Sequence, residues 1–206
     1  KANKLRAVKR MQRLINANFG SGDFFCRFSA PYGTYESEKE FRAEVGKWLY
    51  RINYRRKKQG KGRLKYIAFI ECGKSGKNWH IHIIVSKEDR ELLSEQWPYE
   101  NGQNFTPLYK NENFKKLAEY ITKDLTGKED VDAAQKRMMT SRNLTKPESV
   151  TRKAKRKEIR ALERGEMIEP PEGHYLIEDD YSMNYSDIGG AKWYFCFLPI
   201  TQRRKW

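Results

Sequence analysis

Trp79-His80-Ile81-His82-Ile83-Ile84-Val85 is the stretch on which the reading of this chain turns. It is rich in β-branched and aromatic residues, which fit a pleated surface, and it reads as a strand. On a strand, alternate residues face the same side, so His80 and His82 project together and can share one metal ion. They are two of only three histidines in 206 residues. Just upstream, Tyr66 to Glu71 reads as another strand, and the polar turn Gly73 to Asn78 folds it back antiparallel. Ile67, Phe69 and Glu71 then share a face, and hairpin register can bring Glu71 beside the histidine pair. Two neutral imidazoles and one carboxylate make a divalent-cation site with open positions for phosphate oxygens. Ligand softness by itself favours Mn, Zn or Fe over Mg. The plainer readings are a histidine pair without a ligand and a strand-end acid in water.

Outward from this hairpin, Phe24 to Ser29 reads as a short strand, stopped by Ala30-Pro31-Tyr32-Gly33. A helix begins at Ser37, which with Glu40 makes a capping box. Phe41, Val45, Trp48, Leu49 and Ile52 form its apolar stripe. Ser86 and Asp89 mark the start of a short helix with Leu92 and Leu93, and residues 98 to 109 are ambiguous, with room for an edge strand. Asn113 to Leu125 reads as a helix stopped by Gly127. A basic helical segment over roughly 147 to 165, a Pro-Pro break at 170 and 171, and a strand near Lys192 to Leu198 complete the chain. Trp48 and Trp193 are read as core, and Met138 and Met139 as apolar contacts. The order of elements predicts an α+β fold, a central antiparallel sheet with helices packed on it. The length fits one domain, residues 1–206, with a core of about 20–126 and a basic extension over 127–206.

The charge says more about partners than about fold. The formal net charge is +15 and the pI near 9.7, which points to polyanions. Arg51 to Lys65 carries eight basic residues and no acids, and Lys136 to Gly165 carries eleven basic and three acidic ones. Glu166 to Ala191 then holds seven acids and no Lys or Arg. One basic run is usually a solvated face; two around an apolar centre favour a surface that tracks phosphates, with aromatics for base stacking. Arg51, Arg55, Arg56, Lys57, Lys58 and Arg63 are the candidates from the first block. Arg152, Lys153, Lys155 and Arg156 are those from the second, and Trp79 is placed either to pack or to stack on a base. The longest apolar stretch, Trp193 to Ile200, is far short of the roughly 20 residues a membrane span needs. Lys1 to Arg13 lacks the apolar block of a signal peptide. Cys26, Cys72 and Cys196 show no metal-ligand spacing, which suits a reducing cytosol. The expected location is cytoplasmic, and the expected partner is nucleic acid.

The helix over 113–125 carries the second chemical signal. Phe114, Leu117, Ala118, Ile121 and Leu125 form its apolar stripe, while Tyr120 and Lys123 lie off it, neighbours one turn apart. A tyrosine hydroxyl, with its pKa near ~10, is a weak nucleophile unless a metal or cation assists it. The plainer reading is a surface tyrosine beside a Glu119–Lys123 ion pair.

A strand with an acid, then His-hydrophobe-His, then a helical Tyr-x-x-Lys about forty residues on, resembles the HUH endonucleases. Within them it is most similar to the rolling-circle replication initiators (Rep proteins) of plasmids and phages. The resemblance covers roughly residues 20 to 126, with Phe24 to Ser29 at the family's first strand motif. It implies a ferredoxin- or RRM-like sheet and a divalent ion, Mn²⁺ or Mg²⁺, held by Glu71, His80 and His82. It implies that Tyr120 attacks a DNA phosphate to leave a 5′-phosphotyrosine link and a free 3′-hydroxyl, with Lys123 compensating phosphate charge. Reversal by an incoming 3′-hydroxyl would rejoin strands. The implied partners are origin DNA, as a single strand or a hairpin, with a host polymerase and helicase. Asp124 stands where a second tyrosine is found in many phage-type initiators, so the chain reads as a single-tyrosine enzyme. A single-tyrosine transposase or a relaxase is the alternative within the same chemistry. A non-catalytic module that binds single-stranded nucleic acid is the alternative from another class. A non-haem iron oxygenase is disfavoured by ligand spacing and by the charge. No Gly-x-x-x-x-Gly-Lys-Ser/Thr loop occurs, so no ATPase or helicase domain is read in this chain.

Overall fold

A computed structural model of the chain describes residues 2–109, 113–123, 138–148, 150–177, 181–186 and 190–200. It divides into two compact units, Lys1–Pro147 and Glu148–Trp206.

The first unit is built on the predicted hairpin. The strands β1 (Phe24–Ser29), β2 (Ile67–Cys72) and β3 (Trp79–Val85) fall within a residue of the sequence reading. Two more strands, β4 (Gln103–Pro107) and β5 (Met138–Thr140), close the edges of a five-stranded antiparallel sheet in the order β4-β1-β3-β2-β5. The ambiguous segment after residue 98 thus contains the edge strand that its composition allows, while β5 has no signal beyond two methionines.

Each face of the sheet carries its own helical layer. On one face lie Cys26, Phe28, Ala68, Ile70, Ile81, Ile83 and Val85. Helix α2 (Glu38–Lys58) covers them with the predicted stripe Phe41, Val45, Trp48, Leu49 and Ile52, all buried. Leu93 of the short α3 (Arg90–Gln96) and Trp97 join the same core. Ser37 caps α2 as expected, accepting the Glu40 N–H. The Glu40 carboxylate, however, accepts from Glu36 N–H one residue further back, so the box is offset. At the far end of α2, Arg56 is tied to Asp89 and donates to the Gly62 carbonyl, joining the helix end to the start of α3.

The opposite face is covered by a helix absent from the sequence reading. Helix α1 (Ala2–Asn18) buries Val8, Met11 and Ile15 against Ile67, Phe69 and Ile84. Those three positions, with Phe19, repeat at helical spacing, so the signal is present but diluted by basic neighbours. Helix α4 (Lys115–Thr122) packs beside α1 through Ala118 and Ile121. It is shorter than the segment read from sequence, whose Leu125 and Gly127, like Asp124, lie outside the described residues. Asn113 and Phe114 lead into α4 with positive φ, 47° and 55°. Asn16 of α1 holds that turn by donating to the Asn113 carbonyl at 3.0 Å, and Phe114 is buried.

The second unit contains α5 (Arg156–Glu163) and two small two-stranded sheets. One pairs β6 (His174–Leu176) with β9 (Phe197–Pro199), and the other pairs β7 (Ser182–Ser186) with β8 (Gly190–Tyr194). The predicted basic helix over 147–165 is confined to its second half. Glu158 accepts the Lys155 N–H at 2.7 Å and starts the helix there. The predicted strand over 192–198 is split between the two sheets. Trp193, read as core, is half-buried, since β8 has only one strand beside it. Among the described residues no helix is long and apolar enough to cross a membrane.

Candidate metal centre and its tyrosine

Register decides the site. Glu71 pairs directly with His80, and Phe69 with His82, across the β2–β3 hairpin. Directly paired residues project to the same face, so Glu71, His80 and His82 converge on the face that α1 and α4 cover. The helices pack over Ile67, Phe69 and Ile84, toward one end of the strands, leaving the centre at the other end where the cover stops. The hairpin loop keeps the strands tight. Gly73 N–H donates to the Asn78 carbonyl at 3.0 Å, and Gly76 takes a φ of +72° that favours glycine.

Glu71 Oε2 lies 3.2 Å from His80 Nε2 and 3.2 Å from His82 Nε2. His80 Nδ1 is 3.1 Å from the Asn78 carbonyl, an oxygen that can only accept, so the ring proton belongs on Nδ1. The Nε2 lone pair then faces the Glu71 oxygen. Two acceptors at that distance need a cation between them, a proton or a metal ion. The ionisation of Glu71 and His82 fits the second. Hydrogen bonding with His80 and then with His82 holds the Glu71 carboxyl far below the usual carboxylate range, against the opposing effect of burial. Burial pushes His82 down from its ordinary value, Glu71 opposes this, and the nearby positive charge of Arg27 adds to the depression. An anionic carboxylate and a neutral imidazole are the forms that bind a divalent ion. Among the described residues this is the one group of three His, Cys, Asp or Glu side chains placed to hold a metal.

His82 is held more rigidly than its neighbour. Its ring is stacked between Phe25 (centroids 5.2 Å, interplanar 7°) and Phe69 (4.9 Å, 16°). The same two phenylalanines meet the edge of Tyr120, each with centroids 6.0 Å from it. Tyr120 projects from α4 so that its hydroxyl is 3.4 Å from His82 Nε2 and 3.5 Å from Glu71 Oε2. Lys123 Nζ sits 4.8 Å from the centroid of the Tyr120 ring. Ala118 and Ile121 bury the other side of α4, so the helix is anchored while Tyr120 stays 37% exposed. The structure therefore brings together Glu71, His80, His82, Tyr120 and Lys123.

Residues 33–130 match a family of replication-associated proteins, described by its ORF2 member. The matched stretch is just under half of the chain and contains all five of these residues. It leaves out α1 and β1, which supply the helical cover and Phe25. Comparison with curated proteins and with solved structures gives no match.

The sequence-predicted DNA contacts are scattered by comparison. Arg55, Lys57, Lys58 and Arg63 are exposed. Arg51 is shared between Glu44 at 3.2 Å and the Gln96 carbonyl at 3.3 Å. The guanidinium of Arg56, with 13% of its side chain exposed, is committed inside the fold to Asp89 and Gly62. Trp79 alternates with His80 and so faces the α2 layer, stacked near Phe41 at 6.3 Å rather than beside the metal centre. In the second unit Arg152 is bound to Glu158 at 2.7 and 2.5 Å, while Lys153, Lys155 and Arg156 are exposed. The contributions of Phe25 and Arg27 escape the sequence reading, which takes β1 only as a structural strand. Alternation along Phe25-Cys26-Arg27 places both on the histidine face, but only the β1–β3 pairing reveals it.

Proposed function

We propose that the protein is a metal-dependent tyrosine endonuclease that nicks and rejoins single-stranded DNA to initiate rolling-circle replication of a plasmid or phage. The observation that carries this reading is the Tyr120 hydroxyl, 3.4 Å from His82 Nε2 at the edge of a Glu-His-His cluster. Similarity to replication-associated proteins over the stretch that holds the cluster supports it. Glu71, His80 and His82 would hold the divalent ion, Mn²⁺ or Mg²⁺, whose Lewis acidity supplies charge stabilisation at the scissile phosphate.

The Tyr120 oxygen attacks phosphorus as its proton leaves. A tyrosyl–phosphate bond forms, the bond from phosphorus to the 3′ oxygen breaks, and that oxygen takes up a proton as a free 3′-hydroxyl. Lys123, beside the ring, offsets negative charge on the phenolate and the phosphate. The Phe25–His82–Phe69 stack fixes the imidazole against which the tyrosine is set. Because the tyrosyl phosphodiester resembles the bond it replaced, attack by a 3′-hydroxyl reverses the step and joins strands. The free 3′ end is a primer for a host polymerase, with a helicase opening the duplex ahead of it. On this reading the protein works in the cytoplasm.

A covalent-adduct assay tests the proposal. The protein is mixed with a diverse pool of single-stranded DNA and Mn²⁺, then run on a denaturing gel beside Tyr120→Phe, His82→Ala and an EDTA control. A denaturation-resistant band that needs metal and vanishes in both variants is expected. Binding without an adduct would replace the enzyme by a non-catalytic single-strand-binding module. An adduct that persists in Tyr120→Phe would move the nucleophile, with the 70% exposed Tyr109 next to test.

A further inference from the structure

The half of the active face that lies away from Glu71 is polar and open, and it carries Arg27, a cation with no acidic partner among the described residues across either neighbouring strand. Arg27 on β1 pairs with His82 on one side and with Asn104 of β4 on the other, so all three project from one face. Phe25 and Ser29 flank Arg27 along the strand, and Thr106 lies beside Asn104 on the edge strand. Asn104 and Thr106 are exposed. Neither Arg27 nor these polar neighbours belongs to the core beneath α1 and α4.

Arg27 is half-buried, and its Nε is buried without a hydrogen-bond partner among the described residues. An unsatisfied buried guanidinium N–H is costly, and neither His82 nor Asn104 offers it a carboxylate. Lys and Arg on surfaces ordinarily reach water or an acid; this one is held against the sheet with its charge directed along the active face. Adjacent strands lie about 4.8 Å apart, so Arg27 stands one strand spacing from a metal ligand. Guanidinium is the side chain best shaped for phosphate, through paired N–H donors. Arg27 also falls outside the stretch similar to replication-associated proteins.

We propose that Arg27 binds a phosphate of the same DNA strand that Tyr120 attacks. Ser29, Asn104 and Thr106 form the polar bed for the adjoining nucleotide, so the strand crosses the sheet from the metal centre toward β4. The assignment rests on the endonuclease reading for its substrate, but binding alone can test it.

The experiment measures binding of a short, fluorescein-labelled, mixed-sequence single strand by anisotropy over a range of NaCl, in EDTA so that nothing is cut. Wild type is compared with Arg27→Gln and Arg27→Lys, each checked by near-ultraviolet circular dichroism. Arg27→Gln is expected to bind about tenfold to a hundredfold more weakly. Its slope of log K against log salt should be shallower by about 0.7, the value for one phosphate on a single strand. Arg27→Lys, which keeps the charge, should retain the slope. Unchanged affinity and slope in Arg27→Gln would overturn the proposal, as would Arg27→Lys behaving like Arg27→Gln. The two readings fail separately. Wild type that forms the Tyr120 adduct while Arg27→Gln binds normally removes the Arg27 site and leaves the chemistry. A protein that loses affinity on Arg27→Gln but whose wild type never forms an adduct removes the chemistry and leaves the site.

Discussion

Replacing Glu71 by Gln takes away the one charge that faces both imidazoles, and its consequence can be worked out before any DNA is present. Glu71 Oε2 sits 3.2 Å from each Nε2, so a divalent ion bound there replaces three lone-pair contacts in the folded state and has no equivalent in the unfolded chain. A ligand that binds only the folded state stabilises it by RT ln(1 + [L]/Kd), about 2.7 kcal/mol at a hundredfold excess over Kd. The unit Lys1–Pro147 is of a size for which each kcal/mol moves the thermal transition by roughly 2–4 °C. Mn²⁺ should therefore raise the wild-type transition by about 5–11 °C relative to EDTA. Loss of even an outer partner of a metal ligand commonly weakens binding about 10–100-fold. At the larger figure the same Mn²⁺ concentration only matches Kd in Glu71→Gln, leaving about 0.4 kcal/mol and a rise of roughly 1–2 °C. Differential scanning calorimetry of both proteins, each against its own EDTA reference, makes the measurement. Equal rises in the two proteins would show that the carboxylate is not a ligand. No rise in wild type at millimolar Mn²⁺ would refute the cation site itself.

Three further outcomes follow from features outside the centre. Asp89→Ala leaves the largely buried Arg56 guanidinium unpaired and should cost about 3–5 kcal/mol in urea unfolding; a loss below about 1 kcal/mol would mean that the pair is solvated. Gly102 has φ +82°, and a Cβ there would meet Ser29 Cβ and its carbonyl oxygen at 3.0 Å, so Gly102→Ala should lower stability by about 1–3 kcal/mol. A Gly102→Ala protein with an unchanged urea midpoint would contradict that backbone conformation. The Cys26 thiol is fully buried and pushed up to about 12 by desolvation, so at pH 8 it should react with a thiol reagent only as fast as the protein opens. Rapid stoichiometric labelling of Cys26 in the native protein, read by peptide mapping, would overturn this.

Much of the fold is legible in the sequence because its strongest elements are locally consistent. Period-two alternation from Trp79 to Val85, with β-branched residues and a glycine-bearing turn before it, leaves few alternatives to a hairpin. The α2 stripe is as clear, and Ser37 caps it where expected. The elements that escape the sequence reading are those with weak signals. The apolar positions of α1 lie among five Lys and Arg residues, and β5 is three residues long at a sheet edge. Edge strands contribute few side chains to any core, and a short one has little pattern to show.

The ligand types, the shared face of His80 and His82, and the exposure of Tyr120 on an otherwise apolar helix follow from the sequence by itself, since each depends only on periods of 2 or 3.6 residues. Three things were decided by the tertiary structure. Hairpin register set Glu71 opposite His80, where a slip of one residue would have turned the carboxylate to the α2 side. The packing of α4 on α1 brought the Tyr120 hydroxyl to 3.4 Å from His82. The pairing of β1 with β3 placed Phe25 against His82 and Arg27 beside it. Such distances join segments tens of residues apart, and no local periodicity encodes them; they arise only when one buried sheet must satisfy every strand at once.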